Sequence, residues 1–275
     1  RAVPEAARTL AVAFWPGPLT LVLPRHPQIP LVTTGGLDTV AVRMPDDPVA
    51  LALIEAAGCP VAAPSANRSG RPSPTRAAHV AEDLDGRVDV ILRAGDCRVG
   101  IESTVLDLTG PAPMVLRPGI VTPEEIAEVL GVPVELDPAL RQTPGPGMPG
   151  SGAPRPGTQA AEDTTAPAPK APGMKYAHYA PRAEMLILRG PEDAIRARMD
   201  AIRREREAMG QRVGTILFGS AAYREAARDF FARLRELDGQ GVDLILAGAL
   251  DEGQSLGVAV MNRMLKSAGY HVIDL

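Results

Sequence analysis

The residues whose types and spacing best suit chemistry lie between Ser65 and Thr75. Two small hydrogen-bonding side chains, Ser65 and Asn67, stand two apart and are followed by Ser69 and Ser73, with Gly70, Pro72 and Pro74 stiffening the path between them. Each proline fixes φ and removes a donor, and Ser, Asn and Gly suit tight turns. Ahead of them, Pro60-Val61-Ala62-Ala63 reads as the end of a buried strand. Behind them, Ser73 followed by Pro74 predicts a helix start, Ser73 capping free N–H groups and Pro74 filling the first helical position, with the helix running over residues 76–82. A strand, a polar loop and a helix N-terminus in succession offer unpaired backbone N–H groups and the positive end of a dipole, which suit an anion such as phosphate. The same residues also suit a plain strand-to-helix connection, and the Gly-Lys-Ser/Thr of a phosphate-binding loop is absent.

The elements that must position these residues follow from hydrophobic pattern and punctuation. A short helix is expected over residues 4–14 and a strand over 19–23, bounded by Pro18 and Pro24. Alternation over residues 39–43 puts Thr39, Ala41 and Arg43 on one face of a strand and Val40 and Val42 on the other. A helix over 47–57 ends at Gly58, and residues 88–92 read as a strand. Strands 104–108 and 114–117 are joined by a Pro/Gly turn; Ser103, Val105 and Asp107 share a face of the first, and Arg117 ends the second as an edge-strand arginine. Thr122-Pro123-Glu124-Glu125 is a capping box opening a helix that stops at Gly131.

From Asp137 to Pro172 the chain is rich in Pro, Gly, Ala and Thr and reads as a linker. Beyond it, strands at 185–188, 213–218, 244–246 and 270–273 alternate with helices at 191–209, 220–237 and 254–268, the pattern of a parallel α/β sheet with right-handed crossovers. Ala227, Phe230, Phe231, Leu234 and Leu237 form the core stripe of the second of these helices. The arginines at 196, 198, 203, 204 and 206 read as a solvated helix face.

Composition sets bounds. At 275 residues and 45% hydrophobic, the chain can bury a core, and with aromatics at 3% that core must be aliphatic. A net charge of −4 argues against nucleic-acid binding through bulk charge, which weakens a non-catalytic RNA-binding module, as does the lack of an aromatic stacking platform. Cys59 and Cys97 lack metal-type spacing, which fits a reducing cytoplasm and predicts no metal site. No apolar run approaches a membrane span. His26, His79 and Cys59 are read as having no chemical role.

Several stretches, taken in order, resemble one family. They are Phe14-Trp15-Pro16-Gly17-Pro18-Leu19-Thr20, Val40-Ala41-Val42-Arg43-Met44-Pro45, Pro64-Ser65-Ala66-Asn67-Arg68-Ser69-Gly70, Glu102-Ser103-Thr104-Val105, Leu116-Arg117-Pro118-Gly119 and Pro172 to Pro181, with Leu256 to Arg263 near the end. The chain is thereby identified as similar to the threonylcarbamoyl-AMP synthases, in the two-domain form of that family. The resemblance implies a YrdC-like twisted-sheet α/β catalytic domain over residues 1–136, a Pro/Gly-rich linker over 137–181 ending in a lid motif, and a smaller Rossmann-like parallel α/β domain over 182–275. It implies that L-threonine, bicarbonate or CO₂, and ATP with Mg²⁺ give threonylcarbamoyl-AMP and pyrophosphate, the product passing to a downstream tRNA transferase, with tRNA contact a further possibility. Arg43, Ala63 and Ser103 match threonine contacts; Thr39, Ser65, Asn67, Ser73, Arg117 and Tyr179 match ATP contacts, with Asn67 and Arg117 as charge and donor support and no covalent catalyst. Met174, Tyr176, His178 and Tyr179 match a lid. The family's Pro-Thr-Glu-Thr-Val-Tyr-Gly-Leu-Gly stretch and Lys-x-Arg pair are not found in these residues, so the expectation is an N-terminally shortened chain with little activity alone. The related hydrogenase-maturation carbamoyltransferases are the alternative enzyme, but their zinc-type Cys pairs and acylphosphatase region are not found here.

Overall fold

The computed structural model describes residues 3–140 and 179–275, which fall into two compact units that are not contiguous in sequence. The first takes the described residues up to Pro64 and those from Glu102 onward to 140; the second takes Ser65–Ile101 together with 179–275. The packing division therefore does not follow the chain-order boundary at residue 136: the Ser65–Thr75 loop folds with the C-terminal part of the chain.

The first unit is built on a five-stranded mixed sheet. Helix α1 (Glu5–Phe14) leads into β1 (Leu19–Pro24), which pairs antiparallel with β2 (Thr39–Val42) and parallel with β3 (Thr104–Asp107). Strand β4 (Met114–Arg117) runs antiparallel to β3, and a short β5 (Glu135–Leu136) that the sequence pattern does not announce runs parallel to β4, so the order is β2-β1-β3-β4-β5. Leu19, Leu21, Leu106 and Val115 pack one face of the sheet with Ala7 and Leu10 of α1 and Ile126 of α4 (Pro123–Leu130), while Val22, Val105 and Leu116 form a smaller cluster. Helix α2 (Pro48–Ala57) starts at Asp47, whose carboxylate accepts from the Ala50 N–H, and stops at a left-handed Gly58. In α4 the capping box is complete: Thr122 Oγ1 accepts from the Glu125 N–H, and the Glu125 carboxylate accepts from the Thr122 N–H.

The second unit holds a four-stranded, all-parallel sheet in the order β7-β8-β6-β9, formed by Val213–Ile216, Leu244–Gly248, Glu184–Arg189 and Val272–Asp274. Helices α5 (Glu192–Ala208), α6 (Tyr223–Gln240) and α7 (Ser255–Ser267) connect these strands. The α6 stripe is as its spacing predicts, with Ala227, Phe230, Phe231 and Leu234 buried and Leu237 packed against them. The α5 arginines lie along a solvated face, where Arg196 pairs with Glu192 and Arg203 with Asp200.

Three local expectations are corrected. Residues 88–92 form no strand: Val90 is 70% exposed, and the run has no ladder partner among the described residues. The same holds for residues 60–63, which are exposed and irregular, not the end of a buried strand. An apolar run becomes a strand only where its N–H and C=O groups find a neighbour. Finally, α3 (Ala77–Leu84) begins after Arg76, which makes no side-chain cap, and Ser73 is not its N-cap but is buried three residues upstream.

A buried ion network joins residues 65–101 to the C-terminal part, beside the apolar contacts of Val99 and Ile101. Arg235 of α6 donates from Nε and Nη2 to the Pro72 carbonyl at 3.0 and 2.6 Å, and Nη2 also meets Asp83 Oδ2 of α3 at 2.6 Å. Arg71 lies 3.4 Å from Asp238, whose other oxygen accepts from the Arg182 N–H at 2.6 Å. Burial raises the Asp83 carboxyl, but the hydrogen bond and charge of Arg235, helped by Arg71, outweigh it and hold the group below its ordinary value of 3.8. The contribution of Asp83 is therefore present above pH 3.8 and is lost as pH falls through the lower, folded-state value. Asp83→Ala strands a buried guanidinium and is expected to cost about 3–5 kcal/mol, read by urea unfolding at neutral pH, with a smaller difference from the parent in strong acid. Equal unfolding midpoints at neutral pH would show that the network carries no stability.

Candidate active site

In the first unit, three side chains from three strands meet at one end of the sheet. Thr20, near the start of β1, places Oγ1 2.7 Å from Oγ of Ser103, the residue just before β3. Arg117, at the end of antiparallel β4, donates from Nε and Nη2 to the Ser103 carbonyl at 3.1 and 3.0 Å, and from Nη2 to Ser103 Oγ at 3.2 Å. Ser103 is 5% and Arg117 9% exposed. This buried position corrects the edge-strand reading of Arg117: its guanidinium turns inward onto Ser103.

The backbone explains how Arg117 reaches this face. Val105 opposes Arg117 while Leu106 opposes Val115, so Leu116 and Arg117 together face one residue of β3, as in a β-bulge. The irregularity re-aims Arg117 toward Ser103. Gly119 completes the turn: a Cβ there would collide with the Thr104 N–H, and Thr104 Oγ1 donates to the Val121 carbonyl at 2.6 Å.

The other expected contacts of this unit divide. Leu21 opposes Val42, so Arg43, which follows β2, comes to the same sheet end as Thr20 and Ser103; the Gly17 N–H to Met44 carbonyl bond extends that pairing. Arg43 has left the strand and is exposed. Thr39 opposes Pro24, at the far end of the ladder, so it is not brought beside Ser103. Ala63 sits in the exposed irregular segment before Pro64.

In the second unit, the Ser65–Thr75 loop is held by side chains, not by regular structure. Asn67 Nδ2 donates to the carbonyls of Arg68 and Arg71 at 2.9 and 3.1 Å, which turns its Oδ1 inward, buried and with no hydrogen-bond partner. Gly70 takes φ 84°, and its carbonyl accepts from the Ala180 N–H. Ser65 is exposed; Ser73 is buried beside Pro72, the residue gripped by Arg235. His79, read from sequence as idle, accepts the Thr75 N–H on Nδ1 at 3.2 Å. Tyr179, expected over a ligand, is buried with its ring centroid 5.1 Å from that of Phe231. Met174, Tyr176 and His178 lie outside the described residues.

Sequence reasoning missed Thr20, Arg235 and Asp83. Thr20 stands in one of the motif stretches and faces away from the leucines of β1, which is a signal; Arg235 and Asp83 carry none, since a charged residue on an amphipathic helix is ordinarily solvated. Among the described residues no group of three His, Cys, Asp or Glu could hold a metal ion, and Cys59 and Cys97 are not joined in a disulfide. The groups gathered beside Ser103 are hydroxyls and a guanidinium, suited to binding and orienting anions.

Comparison with known proteins identifies the family. The family described as "Telomere recombination" matches residues 1–119, and "Threonylcarbamoyl-AMP synthase, C-terminal domain" matches 121–269. The chain is 45% identical to the threonylcarbamoyl-AMP synthase of Pyrococcus abyssi over 99% of its own length and 76% of that protein. It is 41% identical to the protein of the same name from Bacillus subtilis, over 98% of its length and 75% of the relative's. The crystal structure of P. abyssi Sua5 complexed with L-threonine superposes with a TM-score of 0.85 at 44% identity, covering 100% of this chain and 77% of that one.

Burial, followed by the charges of Arg235 and Arg76, lowers the His79 imidazole below its ordinary 6.5, against the smaller pull of Glu82 and Asp96. The neutral ring accepts the Thr75 N–H, so its stabilisation is present above pH 6.5 and is lost as pH falls through the folded-state value. His79→Gln is expected to flatten the fall in thermal midpoint on mild acidification below pH 6.5; a slope equal to the parent's would rule out His79 as its source.

Proposed function

The chain belongs to the threonylcarbamoyl-AMP synthase family, nucleotidyltransferase-type enzymes of tRNA modification, and on that footing we propose how its residues serve the reaction. The threonine amine adds to CO₂ with loss of a proton, or condenses with bicarbonate with loss of water, to form a carbamate. A carbamate oxygen then attacks the α-phosphorus of ATP, the new O–P bond forms, and the bond to pyrophosphate breaks. No covalent catalyst is needed; rate comes from positioning and from charge neutralisation.

The observation that supports this reading is the Arg117–Ser103–Thr20 cluster, a buried cation and two hydroxyls held at the sheet end that Arg43 also reaches. A guanidinium fork suits a carboxylate, so Arg43 is proposed to take the threonine carboxylate, with Ser103 and the backbone of Ala63 as further contacts. The relative solved with L-threonine gives this amino acid its place in the proposal. For ATP, the contacts proposed from the family motifs are Thr39, Ser65, Asn67, Ser73 and Arg117. The two donors that Arg117 commits to Ser103 make it first a support for that residue. Tyr179 remains proposed as a nucleotide contact through the lid of Met174, Tyr176 and His178, although its ring also anchors against Phe231. Mg²⁺ is proposed to enter with ATP, held mainly by phosphate oxygens and water, which demands few protein ligands. The product is proposed to pass to a downstream tRNA transferase in the cytoplasm. Residues 1–136 and 182–275 are proposed as the catalytic and accessory domains in chain order. Among the described residues no helix is long and apolar enough to cross a membrane.

A non-catalytic RNA-binding module and a related carbamoyltransferase are not favoured, since relatives aligned over nearly the whole chain bear the synthase name. In the full-length enzyme, pyrophosphate release should require threonine and bicarbonate together, with threonylcarbamoyl-AMP seen by mass spectrometry; release without threonine would overturn the reading. Arg43→Lys should raise the KM for threonine about tenfold or more, through loss of the fork, and that for ATP less than twofold. The reverse pattern would reassign Arg43 to the nucleotide.

A further inference from the structure

We propose that Thr20 is a positioning residue for the amino-acid substrate, acting by donating its hydroxyl proton to Ser103 so that the Ser103 proton is aimed outward at an anionic oxygen of that substrate. The inference rests on the reading of Ser103 as a threonine contact and deepens it.

A serine hydroxyl has one proton to give and two lone pairs to receive with. One lone pair of Ser103 Oγ already accepts from Arg117 Nη2 at 3.2 Å. The 2.7 Å contact with Thr20 Oγ1 can run either way. If Ser103 donates to Thr20, its proton is spent inside the protein and it can offer a ligand only its second lone pair, which suits an ammonium group. If Thr20 donates, both lone pairs are filled and the Ser103 proton is left for an acceptor. The Arg117 guanidinium decides between them: a buried cation touching the same oxygen repels an ammonium group and attracts a carboxylate or carbamate. Arg43, at the same end of the sheet, adds charge of the same sign. The ligand group facing Ser103 is therefore anionic, Ser103 donates to it, and Thr20 donates to Ser103.

Thr20 is suited to this task. It is half-buried on β1, which the Thr20 to Val105 pairing locks parallel to β3, and among the described residues its hydroxyl has no other hydrogen-bond partner.

The test is steady-state kinetics on the full-length enzyme with Thr20→Val, which keeps the shape and removes the hydroxyl. One lost neutral hydrogen bond predicts a KM for threonine raised about fivefold, with kcat and the KM for ATP changed less than twofold. Thr20→Ser should restore the parent value. In a Ser103→Ala background, Thr20→Val should add nothing, because the group it orients is gone. If Ser103→Ala raises the threonine KM and Thr20→Val does not, the inference falls while the role of Ser103 stands. If Ser103→Ala leaves the threonine KM unchanged, both fall. A Thr20→Val enzyme with lowered thermal midpoint, with kcat and both KM values worsened alike and with no rescue by serine, would show a purely structural residue and also overturn the proposal.

Discussion

The fork from Arg235 to the Pro72 carbonyl and the Asp83 carboxylate is the contact on which the shape of the Ser65–Thr75 loop depends. That loop has no ladder and no helix of its own, so its buried backbone groups must be met by side chains. Arg235 meets one of them, the Asn67 amide meets two more, and the Ala180 N–H closes the turn at Gly70. A lysine could not replace Arg235, since a single ammonium lacks the planar pair of donors that grips a carbonyl and a carboxylate at once. The network is not fully satisfied: Asp83 Oδ1 and Arg71 Nε stand 3.8 Å apart, close enough for charge attraction but without a hydrogen bond. A buried ion pair is weak evidence for net stability, and its better-attested use is to fix one arrangement among several. Here the arrangement fixed is that of a loop carrying Asn67 and Ser73.

The first unit solves a different problem by different means. Its polar cluster is organised by strand register. Parallel pairing of β1 with β3 brings Thr20 to Ser103, and the β4 irregularity turns Arg117 onto the same face. Both partners of Ser103 are thus set by backbone hydrogen bonds that hold Leu, Val and Ile in a dry core on the other side. Rigid elements place side chains more reproducibly than loops do, which suits a site whose task is orientation and not bond-making.

Much of this was legible in the sequence, for identifiable reasons. Helices with a cap at one end and glycine at the other, such as α2 and α4, stand within a residue or so of expectation, because the signals are local. The β/α alternation of residues 184–274 was equally clear, since period and punctuation change together. What failed was non-local. Residues 60–63 and 88–92 have the composition of strands but no neighbours to pair with among the described residues. Ser73 followed by Pro74 has the chemistry of a cap, yet Ser73 is buried and the helix starts at Ala77. Ser103 and Arg117 were singled out through their motifs, but the β-bulge that unites them leaves no trace in composition or period. The distance of Thr39 from Ser103 follows from register, which alternation on a single strand cannot reveal.

The separation of Pro72 from Arg235 by 163 residues bears on how the chain matures during synthesis. A ribosome adds about 5–20 residues each second, so the Ser65–Ile101 segment emerges many seconds before the helix that grips it. Throughout that interval Pro72 and Asp83 face water or chaperones instead of Arg235, alongside apolar residues such as Val88, Val90 and Leu92 that stay exposed even in the finished fold. The loop with the most concentrated polar chemistry therefore takes its final shape late, after α6 has left the exit tunnel. A truncation before Arg235 leaves that loop without its grip, however complete the first unit is.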